Sequence, residues 1–145
     1  MVVSELYNLN SSQVEDIKVL IEELNPGIHF EKERLFNVLE SSNSHLFALL
    51  GDDCHIIGCA TLCVYDSPTG QKASVEDVVV SSRYRGQGLG KMMMKHMIEY
   101  ARRELKTVDI HLTSNPYRDA ANRLYQRLGF EKRETNAYVM KIDEL

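Results

Sequence analysis

The chain has 145 residues, which suits one domain with a real core. Hydrophobic residues make up 43% and charged residues 26%, an ordinary balance for a soluble globular protein. A net charge of −4 argues against a nucleic-acid binder, which needs a basic field, and no apolar run reaches the ~20 residues that span a bilayer.

The elements follow in chain order, with no repeat, low-complexity tract or linker to divide them. Residues 1–145 therefore read as a single domain. Val2 to Tyr7 reads as a short strand. Met1 to Asn10 lacks a basic patch followed by an apolar stretch, so no signal peptide is expected and a cytoplasmic location is. Ser12 with Glu15 makes a capping box, and Val14, Ile17, Leu20, Ile21 and Leu24 follow at helical spacing. Asn25-Pro26-Gly27 stops that helix. A second helix is predicted over about 31–40, with Leu35, Phe36, Val38 and Leu39 inward. Leu46 to Leu50 and His55 to Tyr65 read as a hairpin around the turn Gly51-Asp52-Asp53. Asp66 to Gly70 is another turn, and Ala73 to Val80 is a valine-rich strand.

A long helix is predicted from near Gly88 to about Leu105. Leu89, Met93, Met97 and Tyr100 line one face, which Gly90, Met94 and Ala101 widen for burial against a sheet. Val108 to Leu112 is a strand. Asn115 suits an N-cap with Pro116 at the first helical position, and Ala120, Ala121, Leu124, Tyr125 and Leu128 form the next apolar stripe. Gly129 fits the left-handed position after that helix, with Phe130 as the following hydrophobic contact. Ala137 to Ile142 reads as a closing strand. The order predicts an α/β sandwich with a mixed, partly antiparallel sheet.

Cys54, Cys59 and Cys63 are the three cysteines, too few and too clustered for a disulfide framework. A zinc site with His55 fails on geometry. On a strand Cys59 and Cys63 lie about 13 Å apart, whereas zinc draws its thiolates to about 2.3 Å. No metal is expected.

The most informative stretch is Arg85-Gly86-Gln87-Gly88-Leu89-Gly90-Lys91. It follows the valine strand and opens a helix. Glycines there let the backbone approach a ligand closely, and a helix start offers unpaired N–H groups to phosphate. A Walker A loop needs four residues between its first Gly and the Gly-Lys pair, and then Ser or Thr. Here three residues separate Gly86 from Gly90, and Met92 follows Lys91. A dinucleotide fingerprint has different glycine spacing and an early place in a βαβ unit.

Arg85-x-x-Gly88-x-Gly90 resembles the coenzyme A signature of the GNAT N-acetyltransferase superfamily. Val75 to Val80 resembles the strand before that signature. Ala121 to Phe130, with its tyrosine and terminal Gly-Phe, resembles the family's later helix. The resemblance covers about residues 56–140. It implies a GNAT-like three-layer α/β sandwich and transfer of acetyl from acetyl-CoA to a primary amine without an acyl-enzyme. It places coenzyme contacts at Val78, Val79, Val80, Arg85, Gly86, Gln87, Gly88, Leu89, Gly90, Lys91, Asn122 and Tyr125. Many family members carry Asn seven residues before the helix tyrosine. Arg118 stands there in this chain.

Direct transfer needs a base for the amine, a donor for the thioester carbonyl and an acid for the departing thiolate. The resemblance gives the donor role to a backbone N–H at Val78 or Val79, where a bulge opens a slot for the pantetheine arm. It gives the acid role to Tyr125, whose reference pKa of ~10 exceeds the ~8.5 of a thiol. Hydrogen bonding then suits Tyr125 better than full proton transfer. Glu76 and Asp77 are the candidate bases. They face opposite sides of a regular strand, and Glu76 has the longer reach, although a bulge reverses the choice. His29, Phe30 and Glu31 lie where the family places acceptor-binding residues, and Tyr65 to Gln71 is a second candidate wall.

The acceptor is read as a small-molecule or peptide amine, an amino-sugar phosphate being one candidate, and homodimers are frequent in the superfamily. A non-catalytic acyl-CoA sensor and a nucleotide-binding regulatory domain are the competing readings. The first lacks the chemistry that Tyr125 and Glu76 supply. The second predicts protection by ATP or NAD rather than by coenzyme A.

Overall fold

The computed structural model describes residues 1–105 and 108–142. The chain divides into two units, residues 1–113 and 114–145.

The first unit holds β1 (Val2–Leu6), α1 (Ser11–Leu24), α2 (Lys32–Glu40), β2 (Ser44–Leu50), β3 (Ile56–Ser67), β4 (Gly70–Val80), α3 (Leu89–Glu104) and β5 (Val108–His111). The strands form one open sheet in the order β1-β2-β3-β4-β5. β1 to β4 pair antiparallel and β5 joins β4 in parallel, so the mixed sheet is as expected.

Alternation along the strands sends side chains to two faces. Leu46 and Ala48 join Ile17, Leu20 and Leu35 in the cluster under α1 and α2. Phe47, between them in sequence, meets Tyr100 and His96 of α3 edge-on, with ring centroids 5.3 and 5.7 Å away. The sheet therefore lies between two helical layers. Met93, Met94 and Met97 are fully buried, as the apolar face of α3 requires.

Four expectations need correcting. The capping box of α1 is Asn10 with Gln13, not Ser12 with Glu15: the Gln13 N–H donates to Asn10 Oδ1 at 2.8 Å and the Asn10 N–H to Gln13 Oε1 at 3.1 Å. Both pairs fit the pattern. The earlier one puts Leu9 and Val14 at the positions flanking the first turn, and both pack on the α1 core cluster. Phe36 is 39% exposed, because on the short α2 the inward stripe is Leu35, Val38 and Leu39.

In the second unit, α4 (Asp119–Arg127) starts later than Asn115 predicts and has no side-chain cap. Pro116 sits in a turn instead, where the Asn115 carbonyl accepts from the Arg118 N–H at 3.0 Å. The helix ends as expected. Gly129 takes φ +103°, its N–H donates to the Gln126 carbonyl, and the Phe130 N–H donates to the Tyr125 carbonyl. The rings of Tyr125 and Phe130 then meet at 6.1 Å. The fourth correction is the closing strand over 137–142. Residues 131–142 carry no regular structure, and Tyr138, Val139, Met140 and Ile142 are each more than 80% exposed. Alternating apolar residues suit a strand, but a strand also needs a hydrogen-bonding neighbour, and the described residues provide none.

Candidate active site

The site begins with a defect in β4. Cys59 pairs with Val79 and Thr61 with Glu76, so Ala60 faces two residues, Asp77 and Val78. This is a β-bulge, and Asp77 absorbs it at φ +53°, a left-handed conformation that Asp tolerates better than most residues. β5 pairs with β4 only from Gln71 to Ser74. The outer edge of β4 from Val75 to Val80 therefore has no strand partner among the described residues. Such an edge can pair with an extended ligand. Val78, Val79 and Val80 lie on it, with the Val79 side chain buried in the α1 core.

β4 leads into the glycine turn through a short 3₁₀ segment, Ser82–Tyr84. Gly86 and Gly88 have φ of +78° and +75°, and a Cβ added at either would meet nothing within 4 Å. α3 starts with Gly88 as its N-cap and no side-chain cap. The first helical bond comes from the Met92 N–H to the Gly88 carbonyl. The N–H groups of Leu89, Gly90 and Lys91 thus sit at a positive helix end beside open space. That cradle fits a diphosphate, and Gln87 lies within it. Arg85 is more constrained than a rim charge. Its Nε donates to the Val80 carbonyl at 3.2 Å, and its Nη2 lies 3.7 Å from Glu23 Oε2. Glu23 also accepts from the Ser82 N–H and hydroxyl. The sequence reading missed Glu23. A lone glutamate late in a helix gives no local signal of a partner 59 residues away.

A cavity of about 160 Å³ opens between α1, the α1–α2 connection, α2 and the sheet. His29, Phe30 and Glu31 line it together with Asp77. Glu76 and the turn from Tyr65 to Gln71 are not among the lining residues. Glu76 Oε1 instead accepts from the Ser74 hydroxyl at 2.6 Å. Partial burial raises the Asp77 carboxyl above the usual range, and the neighbouring Glu76 charge adds to this.

The thiols fit poorly as nucleophiles. Burial pushes Cys59 up to about 12 and also raises Cys63. Cys54 lies at the β2–β3 turn. Among the described residues no three of His, Cys, Asp and Glu gather to hold a metal. His45 contacts Glu5 at 2.7 Å and His55 contacts Asp16 at 2.8 Å, so both serve pairs within the scaffold.

In the second unit, Tyr125 is buried on α4, and burial raises its hydroxyl while Arg118 pulls it down. Asn122 Nδ2 donates to the Asn115 carbonyl at 3.0 Å, which ties that side chain to the turn before α4.

The sequence model of the GNAT acetyltransferase family matches residues 6–130, and the chain belongs to that family, whose co-substrate is acetyl-CoA. It is 30% identical over 91 residues to streptothricin acetyltransferase of Streptomyces lavendulae, a match covering 63% of this chain and 47% of that protein. It is 35% identical over 74 residues to N-acetyltransferase 8F1 of Rattus norvegicus, covering 50% and 33%. The chain thus matches less than half the length of these relatives. Among solved structures, a putative acetyltransferase from Agrobacterium tumefaciens str. C58 superposes with a TM-score of 0.82 at 20% identity, covering 97% of this chain and all of that one. An aminoglycoside acetyltransferase from an uncultured soil metagenomic sample, in complex with sisomicin, gives 0.83 at 16% identity, covering 99% and 96%. Both likenesses show the fold. No helix among the described residues is long and apolar enough to cross a membrane.

Proposed function

We propose that the chain works as one N-acetyltransferase domain that passes acetyl from acetyl-CoA directly to a primary amine. The observation that carries this is the bulged stretch of β4 at Asp77 and Val78, whose outer edge has no strand partner among the described residues and runs into an uncapped, glycine-lined helix start. Acetyl-CoA would supply the acetyl group as a thioester. The turn from Arg85 to Lys91 holds its diphosphate, and the edge from Val78 to Val80 holds its arm. A backbone N–H at Val78 or Val79 supports the carbonyl oxygen as charge grows there.

Asp77, rather than Glu76, takes the amine's proton in this reading. It lines the cavity, and burial with the nearby Glu76 charge makes it a stronger base than a free carboxylate. The amine nitrogen then bonds to the acetyl carbon while the carbon–sulfur bond breaks. The Tyr125 hydroxyl hydrogen-bonds to the departing sulfur. Burial makes it a weaker acid, which favours that role over full proton transfer. Cys59 and Cys63 stay protonated, which supports transfer without an acyl-enzyme.

The test is thiol release from acetyl-CoA by the purified chain with a panel of primary amines, and product mass. Amine-dependent release with an N-acetyl product supports the reading. Coenzyme binding without release on any amine would leave the sensor reading in its place.

A further inference from the structure

The cavity beside Asp77 has a definite chemistry. Its floor and walls are Ile17, Ile21, Leu35, Val38 and Leu46, and Ile28 and Phe30 close its outer side. Glu31 and Arg34 also line it, but Glu31 Oε2 lies 3.2 Å from Arg34 Nε, so their charges cancel. No lysine lines it. Among the described residues Asp77 has no hydrogen-bond or ion-pair partner for its side chain. It is the one unpaired carboxylate facing a mostly apolar space, to which His29 and Thr61 add an imidazole and a hydroxyl.

We infer that the acceptor is a monoamine with an uncharged, apolar body, such as an arylalkyl or branched alkyl amine. This rests on the proposed acetyl transfer. The ammonium would meet the Asp77 carboxylate, and the carbon body would fill the space under Ile28 and Phe30. The cavity, about 160 Å³, is smaller than the ~300–1,000 Å³ of sites for drug-sized ligands, which suits a single ring or a short branched chain. A sugar phosphate would bring an anion to a site whose lining arginine is already paired. A polyamine or an aminoglycoside would bring several cations to one free carboxylate and bury hydroxyl or ammonium groups against isoleucine. Both lose by the same reasoning.

The test compares kcat/KM for 2-phenylethylamine and 3-methylbutylamine with glucosamine 6-phosphate, spermidine and kanamycin, under saturating acetyl-CoA. The apolar monoamines should exceed each of the others by about tenfold or more, since even one well-placed methylene is worth ~10-fold. Ile28 is 38% exposed, so Ile28→Ser spares the fold. That variant should raise KM for the apolar amines while leaving KM for acetyl-CoA unchanged. A thermal shift by 2-phenylethylamine in the presence of coenzyme A, lost in Ile28→Ser, gives a readout without turnover. Faster transfer to a polar or charged acceptor, or an unaltered preference in Ile28→Ser, overturns the inference and leaves acetyl transfer standing. Absence of both coenzyme binding and transfer overturns the parent reading as well.

Discussion

The carboxylate of Glu23, near the end of α1, accepts a 3.1 Å hydrogen bond from the backbone N–H of Ser82. Its other oxygen accepts from the Ser82 hydroxyl at 3.3 Å, and Arg85 lies beside it. Helix α1, which walls the cavity beside Asp77, is thereby tied to the segment that enters the glycine turn. Net hydrogen bonds contribute roughly 0.5–1.5 kcal/mol each. Glu23→Ala should therefore weaken coenzyme A binding about three- to tenfold with kcat at saturation unchanged. Titration calorimetry with steady-state kinetics checks this. Tighter binding in the variant would show that the Glu23 charge repels the phosphates more than its hydrogen bonds order the turn.

Gly88 holds φ +75° at the start of α3. A side chain there costs ~1–2 kcal/mol of backbone strain and occupies the space proposed for the diphosphate. Gly88→Val should raise the dissociation constant for coenzyme A by tenfold or more, read by calorimetry. Unchanged affinity would move the diphosphate elsewhere.

Tyr125→Phe removes the hydroxyl and keeps the ring against Phe130. Turnover should fall about 10- to 100-fold, below the ~10²–10⁴ of full general acid catalysis, with coenzyme affinity nearly intact. Full activity in this variant takes Tyr125 out of the chemistry.

Asp77 carries a cost that has a pH signature. Its folded pKa is raised by burial and by Glu76, so folding favours its protonated form. That preference helps stability below the unfolded value of ~3.9 and is lost as pH rises through the folded value. At neutral pH the charged group opposes folding, and Asn, which tolerates the left-handed backbone, does not. Asp77→Asn should raise the melting temperature at pH 7 and lower kcat, with the stability gain fading toward pH 4. Thermal melts across pH check this. Glu76→Gln should keep the Asp77 limb of the kcat/KM profile and move it toward lower pH, because the Glu76 charge raises Asp77, and loss of that limb would return the base to Glu76.

His55 follows the same sign in a higher pH window. Its pKa is raised first by the hydrogen bond to Asp16 and then by the charge of Asp16. The pair joins α1 to the start of β3, where Asp16 Oδ2 also accepts from the Ile56 N–H at 3.0 Å. The stability it adds is fully present below the unfolded value of ~6.5 and is lost as pH rises through the folded one. The melting-temperature gap between the native chain and His55→Ala should be widest below pH 6 and close toward pH 8.

Periodicity made most of the fold legible. The alternation of β2 and the apolar face of α3 follow directly from residue spacing. The glycines from Gly86 to Gly90 marked the turn before α3, where Gly86 and Gly88 take left-handed backbone. Which of Glu76 and Asp77 lines the cavity was legible only as an alternative, because a one-residue bulge re-aims the side chains near it and its place is fixed only in the folded sheet. Glu23 and the Glu31–Arg34 pair escaped for a related reason. Their meaning lies in what they face, and only tertiary structure supplies that. The segment 137–142 shows the reverse failure, since its alternation reads as a strand where the described residues give it no partner.

Calorimetric titration of the purified chain with coenzyme A tests the acyl-donor site most directly. The account predicts one site per chain with micromolar affinity, competed by acetyl-CoA and not by ATP. Absence of any association, or binding that ATP displaces equally well, would contradict it.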